Sequence, residues 1–152
     1  SVNEMIKDCA YTGRPESYLN INTADVVVGG RHKKNQGKGY RAFLNTIMLF
    51  NLMKYLESSG KYASHFLVLD SPILSLKEKK YSIKESEKAT KGMRESLIQY
   101  IIDHCGNNQL IVAENELPET VNYQNANRIM FTMDEEQGRY GFLHSVRNPE
   151  EE

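Results

Sequence analysis

The sequence predicts an α/β fold: a mostly parallel sheet with flanking helices and a β-hairpin near the C-terminus. Uninterrupted apolar runs rich in β-branched residues mark strands at 25–28, 65–70 and 109–113. Two long stripes of apolar residues at three- and four-residue steps lie between those runs. The order strand, helix, strand, helix, strand implies right-handed crossovers within one layer.

Each element follows from its residues. Segment 1–12 is short, polar and weakly helical, and Gly13, Arg14 and Pro15 break it. Residues 18–22 alternate apolar with polar. Asp25-Val26-Val27-Val28 ends in Gly29-Gly30, a strand followed by a tight turn. Residues 31–39 are basic and glycine-rich and are expected to form a loop.

A helix should follow, with Tyr40, Phe43, Leu44, Ile47, Met48, Leu52, Tyr55 and Leu56 as its apolar stripe and Gly60 as its stop. Burial of those side chains contributes roughly 12–24 kcal/mol gross. Ordering the backbone offsets a similar amount, so the helix needs an apolar partner such as a sheet. His65-Phe66-Leu67-Val68-Leu69-Asp70 suits a parallel strand covered on both faces. Residues 77–91 are dense in Lys, Glu and Ser and read as a solvated excursion. Ala89, Met93, Leu97, Tyr100, Ile101 and Cys105 form the second stripe, ended by Gly106. Segments 128–133 and 139–143 flank Asp134-Glu135-Glu136-Gln137-Gly138 as arms of the terminal hairpin.

Composition bounds the function. A chain of 152 residues can bury one sizeable core, and its formal charge of −1 gives no global drive toward nucleic acid. Cys9 and Cys105 have neither zinc-site nor disulfide-framework spacing, which fits reduced thiols and a cytoplasmic setting. No run approaches the roughly 18 apolar residues that span a bilayer, so no membrane role is expected. The chain starts at Ser1 rather than Met, which we read as a piece of a longer protein.

Three segments have the residue types for chemistry. Asp70 stands at the C-terminal end of an apolar strand, where open α/β sheets bind ligands, and such an acid can support Mg²⁺ beside a nucleotide. Asn35-Gln36-Gly37-Lys38-Gly39 precedes a helix, where backbone N–H groups and the helix dipole favour anions, with Lys38 and Arg41 adding charge. It is not a phosphate loop of the GxxxxGK[ST] kind, since His32 and Gly39 stand where Gly and Ser or Thr are required. Third, Glu114 and Asn115 follow the strand at 109–113 and could meet Asp70 from an adjacent strand.

In that order the segments resemble the second, C-terminal lobe of SMC-like ATPase heads in the ABC superfamily, of the DNA-repair and genome-defence type. The strand at 25–28 and residues 37–44 are similar to the strand and signature-motif helix. Residues 65–72 resemble the Walker B strand, 73–76 the D-loop, and 112–115 the switch strand. The resemblance spans residues 17–117. It implies a P-loop NTPase (ABC-type) lobe over 17–146, with 1–16 as the end of a connecting coiled-coil helix and linker and 147–152 as a disordered tail.

Further implications concern the site. The resemblance implies ATP and Mg²⁺ as cofactors, with Asn35, Gln36, Gly37, Lys38, Gly39 and Arg41 facing the phosphates. Asp70 would support the metal, Ser75 would lie at a dimer interface, and Asn115, with Glu114, would act as the switch. The partners implied are an N-terminal Walker A lobe, a second head, and DNA with an associated nuclease. Ser71 stands where the family usually has the general-base Glu, and Lys38 interrupts the signature glycines. ATP-dependent clamping is therefore expected rather than fast turnover.

Two other readings stay open. His32, Lys33, Lys34, Lys38 and Arg41 could serve a non-catalytic nucleic-acid or anion-binding module. Asp70, Glu114 and Glu116 could instead form a Mg²⁺-dependent phosphodiesterase centre.

Overall fold

A computed structural model describes residues 1–11, 15–73, 76, 85–134 and 136–142, with only the helical backbone over 85–91. The chain divides into two units, Ser1–Asn122 and Tyr123–Glu152.

The first unit opens with helix α1, Val2–Asp8, closed at its start by a capping box between Ser1 and Glu4. Strands β1 (Ser17–Asn20), β2 (Asp25–Val28) and β3 (Arg31–His32) follow as an antiparallel meander. Ser17 pairs with Val28, and Val28 with Arg31. The mostly parallel sheet expected from the sequence is thus overturned. Residues 21–24 and 29–30 are too short to carry a crossover, and parallel pairing needs about a dozen residues or more. Gly29 and Gly30 take φ of 54° and 73°, the left-handed pair of a two-residue hairpin turn.

A 3₁₀ turn at Lys33–Asn35 leads to helix α2, Lys38–Ser59. Strand β4, Phe66–Asp70, helix α3, Glu85–His104, and strand β5, Gln109–Ala113, then make a parallel β-α-β unit. Phe66 pairs with Gln109 and Asp70 with Ala113, so both strands end together. Among the strands of the first unit that the structure describes, parallel pairing is confined to these two. The fold is a small α/β arrangement of a three-stranded antiparallel sheet and a two-stranded parallel one, not a mostly parallel P-loop lobe.

α2 packs on α1, β2 and β4. Phe43, Leu44, Ile47, Phe50 and Met53 form its buried face. That face is rotated from the expected stripe: Leu52 and Tyr55 are 48% and 63% exposed, while Phe50 and Met53 take their place. The helix is apolar on most of its circumference, so sequence periodicity alone could not choose the inward face. Met93, Leu97 and Ile101 of α3 are buried as expected. Tyr11 packs on Tyr40 and Phe43, and Phe50 on Tyr100, tying α2 to α1's end and to α3.

β4 and β5 differ from expectation in another way. Leu69 is buried, whereas Phe66, Val68 and Ile111 on the opposite face are 45%, 53% and 47% exposed. One face of this parallel pair is open, not both covered.

In the second unit, the expected hairpin is replaced by a single parallel bridge between Phe131 and Arg139 among the described residues. The Arg139 guanidinium lies over the Phe131 ring, and Phe131 meets Phe142 edge-on. The expected tail at 147–152 lies outside the described residues.

Candidate functional site

The matched ends of β4 and β5 bring Asp70 and Glu114 to one edge of the parallel pair. Ser71 N–H donates to the Ala113 carbonyl at 2.8 Å, extending the ladder one step past Asp70. Ser71 Oγ donates to Asp70 Oδ1 at 2.8 Å. Ile73 N–H donates to Glu114 Oε1 at 2.7 Å, with Ile73 itself fully buried. Asp70 remains exposed, Glu114 is half-buried, and Asn115 is exposed directly after it. Ser75 lies outside the described residues.

A single exposed carboxylate with a hydroxyl on one oxygen suits Mg²⁺, which keeps several waters and borrows phosphate oxygens instead of filling a protein cage. Glu116 pairs with Arg94 at 3.8 Å. Among the described residues no three His, Cys, Asp or Glu side chains are grouped to hold a metal. Asp70, Glu114 and Glu116 are therefore not gathered into a three-carboxylate centre.

The second set of residues surrounds the start of α2. Gly37 is the N-cap, with φ −61° and ψ 159°, and no side chain caps the helix there. The first turn has no acidic residue, and Arg41 N–H to Gly37 O at 3.0 Å is the first backbone bond. The amides ahead of Arg41 are thus left without an intrahelical acceptor, at the positive end of a 22-residue helix. Asn35, Gly37, Lys38 and Arg41 are exposed, Gln36 is half-buried and Gly39 is buried. A Cβ built on Gly37 would meet nothing within 4 Å, so the approach is open.

Lys33 contributes less than its place in the basic run suggests. Its ammonium lies 3.3 Å from Asp25 Oδ1, with both side chains largely covered, and it also donates to Asn45. The charges that remain outward are those of Lys34, Lys38 and Arg41. Lys33 instead pins the 3₁₀ turn to β2 and α2.

The two sets sit on different elements. Among the described residues no hydrogen bond joins Asp70 to segment 35–41. Residues 60–65 connect α2 to β4, which packs against it. At about 1.5 Å per helical residue and 3.3 Å per strand residue, α2 is roughly twice as long as β4.

Other groups went unread in the sequence. Asn108, buried, joins Glu57, His65 and the Cys105 carbonyl at 3.0, 3.0 and 2.8 Å. Between α1 and α3 an open groove of about 430 Å³ has Asp8, Glu95 and Asp103 on its walls with Tyr100. Its i, i+4 and i+8 spacing along α3 (95, 99, 103) was the available signal. The two cysteines are free thiols, and burial pushes Cys9 up to about 12, well away from thiolate reactivity at neutral pH. No helix among the described residues is long and apolar enough to cross a membrane.

No known protein family, curated protein or solved structure matches the chain.

Proposed function

We propose that this chain is the phosphate-receiving half of an ATP- and Mg²⁺-dependent clamp, similar in role to the signature and Walker B segments of SMC-like ATPase heads. The observation that carries the reading is that β4 and β5 end together, with Asp70 opposite Ala113 and Glu114 next along the chain accepting from the Ile73 amide, at the C-terminal end of a parallel β-α-β unit. Asp70 would hold a magnesium ion, which would supply positive charge to a bound nucleotide's phosphates. The uncapped start of α2, with Lys38 and Arg41, accepts the terminal phosphate of a nucleotide held by a partner. Asn115, exposed beside Glu114, senses that phosphate.

The partners are a lobe carrying the phosphate loop, a second head, and DNA together with a nuclease, in the cytoplasm. The open apolar face at Phe66, Val68 and Ile111 favours a partner polypeptide, because parallel strands are normally covered on both sides. Clamping, not rapid hydrolysis, is the activity, since Ser71 offers no general base beside Asp70.

Calorimetric titration of MgATP tests the reading. With no phosphate loop in the chain, only weak binding on the order of 1 mM is expected, about −4 kcal/mol. Micromolar affinity for the chain by itself would overturn the division of labour. Salt-dependent binding of DNA that disappears on neutralising Lys34 and Lys38, with no nucleotide effect, would select the nucleic-acid module instead.

A further inference from the structure

We infer that Glu114 is a positioning residue for Asp70, acting through the turn at 71–73; the inference rests on reading Asp70 as the magnesium-side acid. Ser71 holds φ of 51°, a left-handed conformation uncommon for a residue with a Cβ. The end of β5 holds the turn on both sides of Pro72. Pro72 has no N–H, so Ser71 and Ile73 carry the two amide donors of the turn. Both go to consecutive residues at the end of β5: Ser71 N–H to the Ala113 carbonyl at 2.8 Å, and Ile73 N–H to Glu114 Oε1 at 2.7 Å. Pro72 and Ile73 are buried and anchor the far side of the turn.

Held this way, Ser71 turns its hydroxyl back onto Asp70 Oδ1 and fixes the rotation of an otherwise exposed carboxylate. Without the Glu114 contact, Ile73 N–H loses its acceptor and Ser71 is released from the strained conformation. The hydroxyl then leaves Asp70, whose carboxylate rotates freely. Glu114 thus sets the aim of Asp70 from the adjacent strand, while the carboxylate that meets the cation is Asp70's own. Supporting groups of this kind commonly change metal affinity by roughly 10–100-fold.

The full chain with Mn²⁺ and ATP, whose phosphates complete the ion's shell beside a single carboxylate, tests this. Manganese should broaden the amide resonances of 70–73, and Asp70→Asn should abolish the effect. Glu114→Ala should weaken it about tenfold or more and speed hydrogen exchange at the Ile73 amide, while α2 amides stay protected. Glu114→Gln keeps a carbonyl acceptor for Ile73 and should restore both. If manganese binds at Asp70 and Glu114→Ala leaves it unchanged, the positioning role is overturned. If Glu114→Gln keeps Ile73 protected but loses manganese as Glu114→Ala does, Glu114 supplies charge directly and positioning is again overturned. If Ile73 protection depends on Glu114 yet nothing near Asp70 broadens in the wild type, the Asp70 reading itself fails while the turn contact stands.

Discussion

Asn108 connects three elements through one buried side chain. Its amide donates to Glu57 near the end of α2 and to the Cys105 carbonyl after α3, and its oxygen meets His65 at the mouth of β4. Removing a hydrogen-bonding group from such a position strands its partners, at about 1–3 kcal/mol in total when some can reach water. Asn108→Ala should therefore lower the free energy of urea unfolding by about 2 kcal/mol. A loss below about 0.5 kcal/mol, the range of an ordinary surface change, would show that the network contributes nothing. The Lys54 ammonium and the Asn108 amide hold the Glu57 carboxyl below its ordinary value. Its favourable contribution is thus present above the usual carboxylate range and lost as pH falls through the lowered value. Asn108 and Glu57 are far apart in sequence, so the network could not be read before the strands were placed.

At the scale of elements, the start of α2 is the feature on which stability and the proposed function oppose one another. An open N-cap leaves helix amides unsatisfied, and Gly37 has the backbone angles and space to accept a capping side chain. Gly37→Asp should stabilise the fold by a few tenths to about 1 kcal/mol in denaturant unfolding. The same carboxylate would compete with any incoming phosphate. Much of this element was legible: glycines before a periodic apolar stretch announced a helix entrance beside basic residues. The role of Lys33 was not, because its neutralisation by Asp25 requires β2 and the 3₁₀ turn to be brought together. Gly29-Gly30 was legible as a tight turn. Its consequence, antiparallel pairing on both sides of β2, contradicts the parallel sheet that the alternation of strands and helices suggested.

At the scale of the molecule, the open sheet face determines how the chain responds to surface change. Val68 and Ile111 are paired on that face, whereas Leu69 on the covered face is 4% exposed. Replacing Val68 and Ile111 together by Thr should alter the chain's own stability by less than about 1 kcal/mol, whereas Leu69→Ala should cost roughly 2–5 kcal/mol. Equal losses in the two cases, by urea unfolding, would mean that the face is covered in solution. An apolar run such as 66–69 looks the same whether one side or both are covered, so the sequence could not disclose this asymmetry. If the first turn of α2 receives a phosphate, its free amides are the groups that meet it. An amide-resolved NMR titration with MgATP tests it most directly. The largest shifts should fall on the amides of Lys38, Gly39 and Tyr40 and vanish in Gly37→Asp. Stationary resonances there while others move, or shifts that persist unchanged in Gly37→Asp, would contradict it.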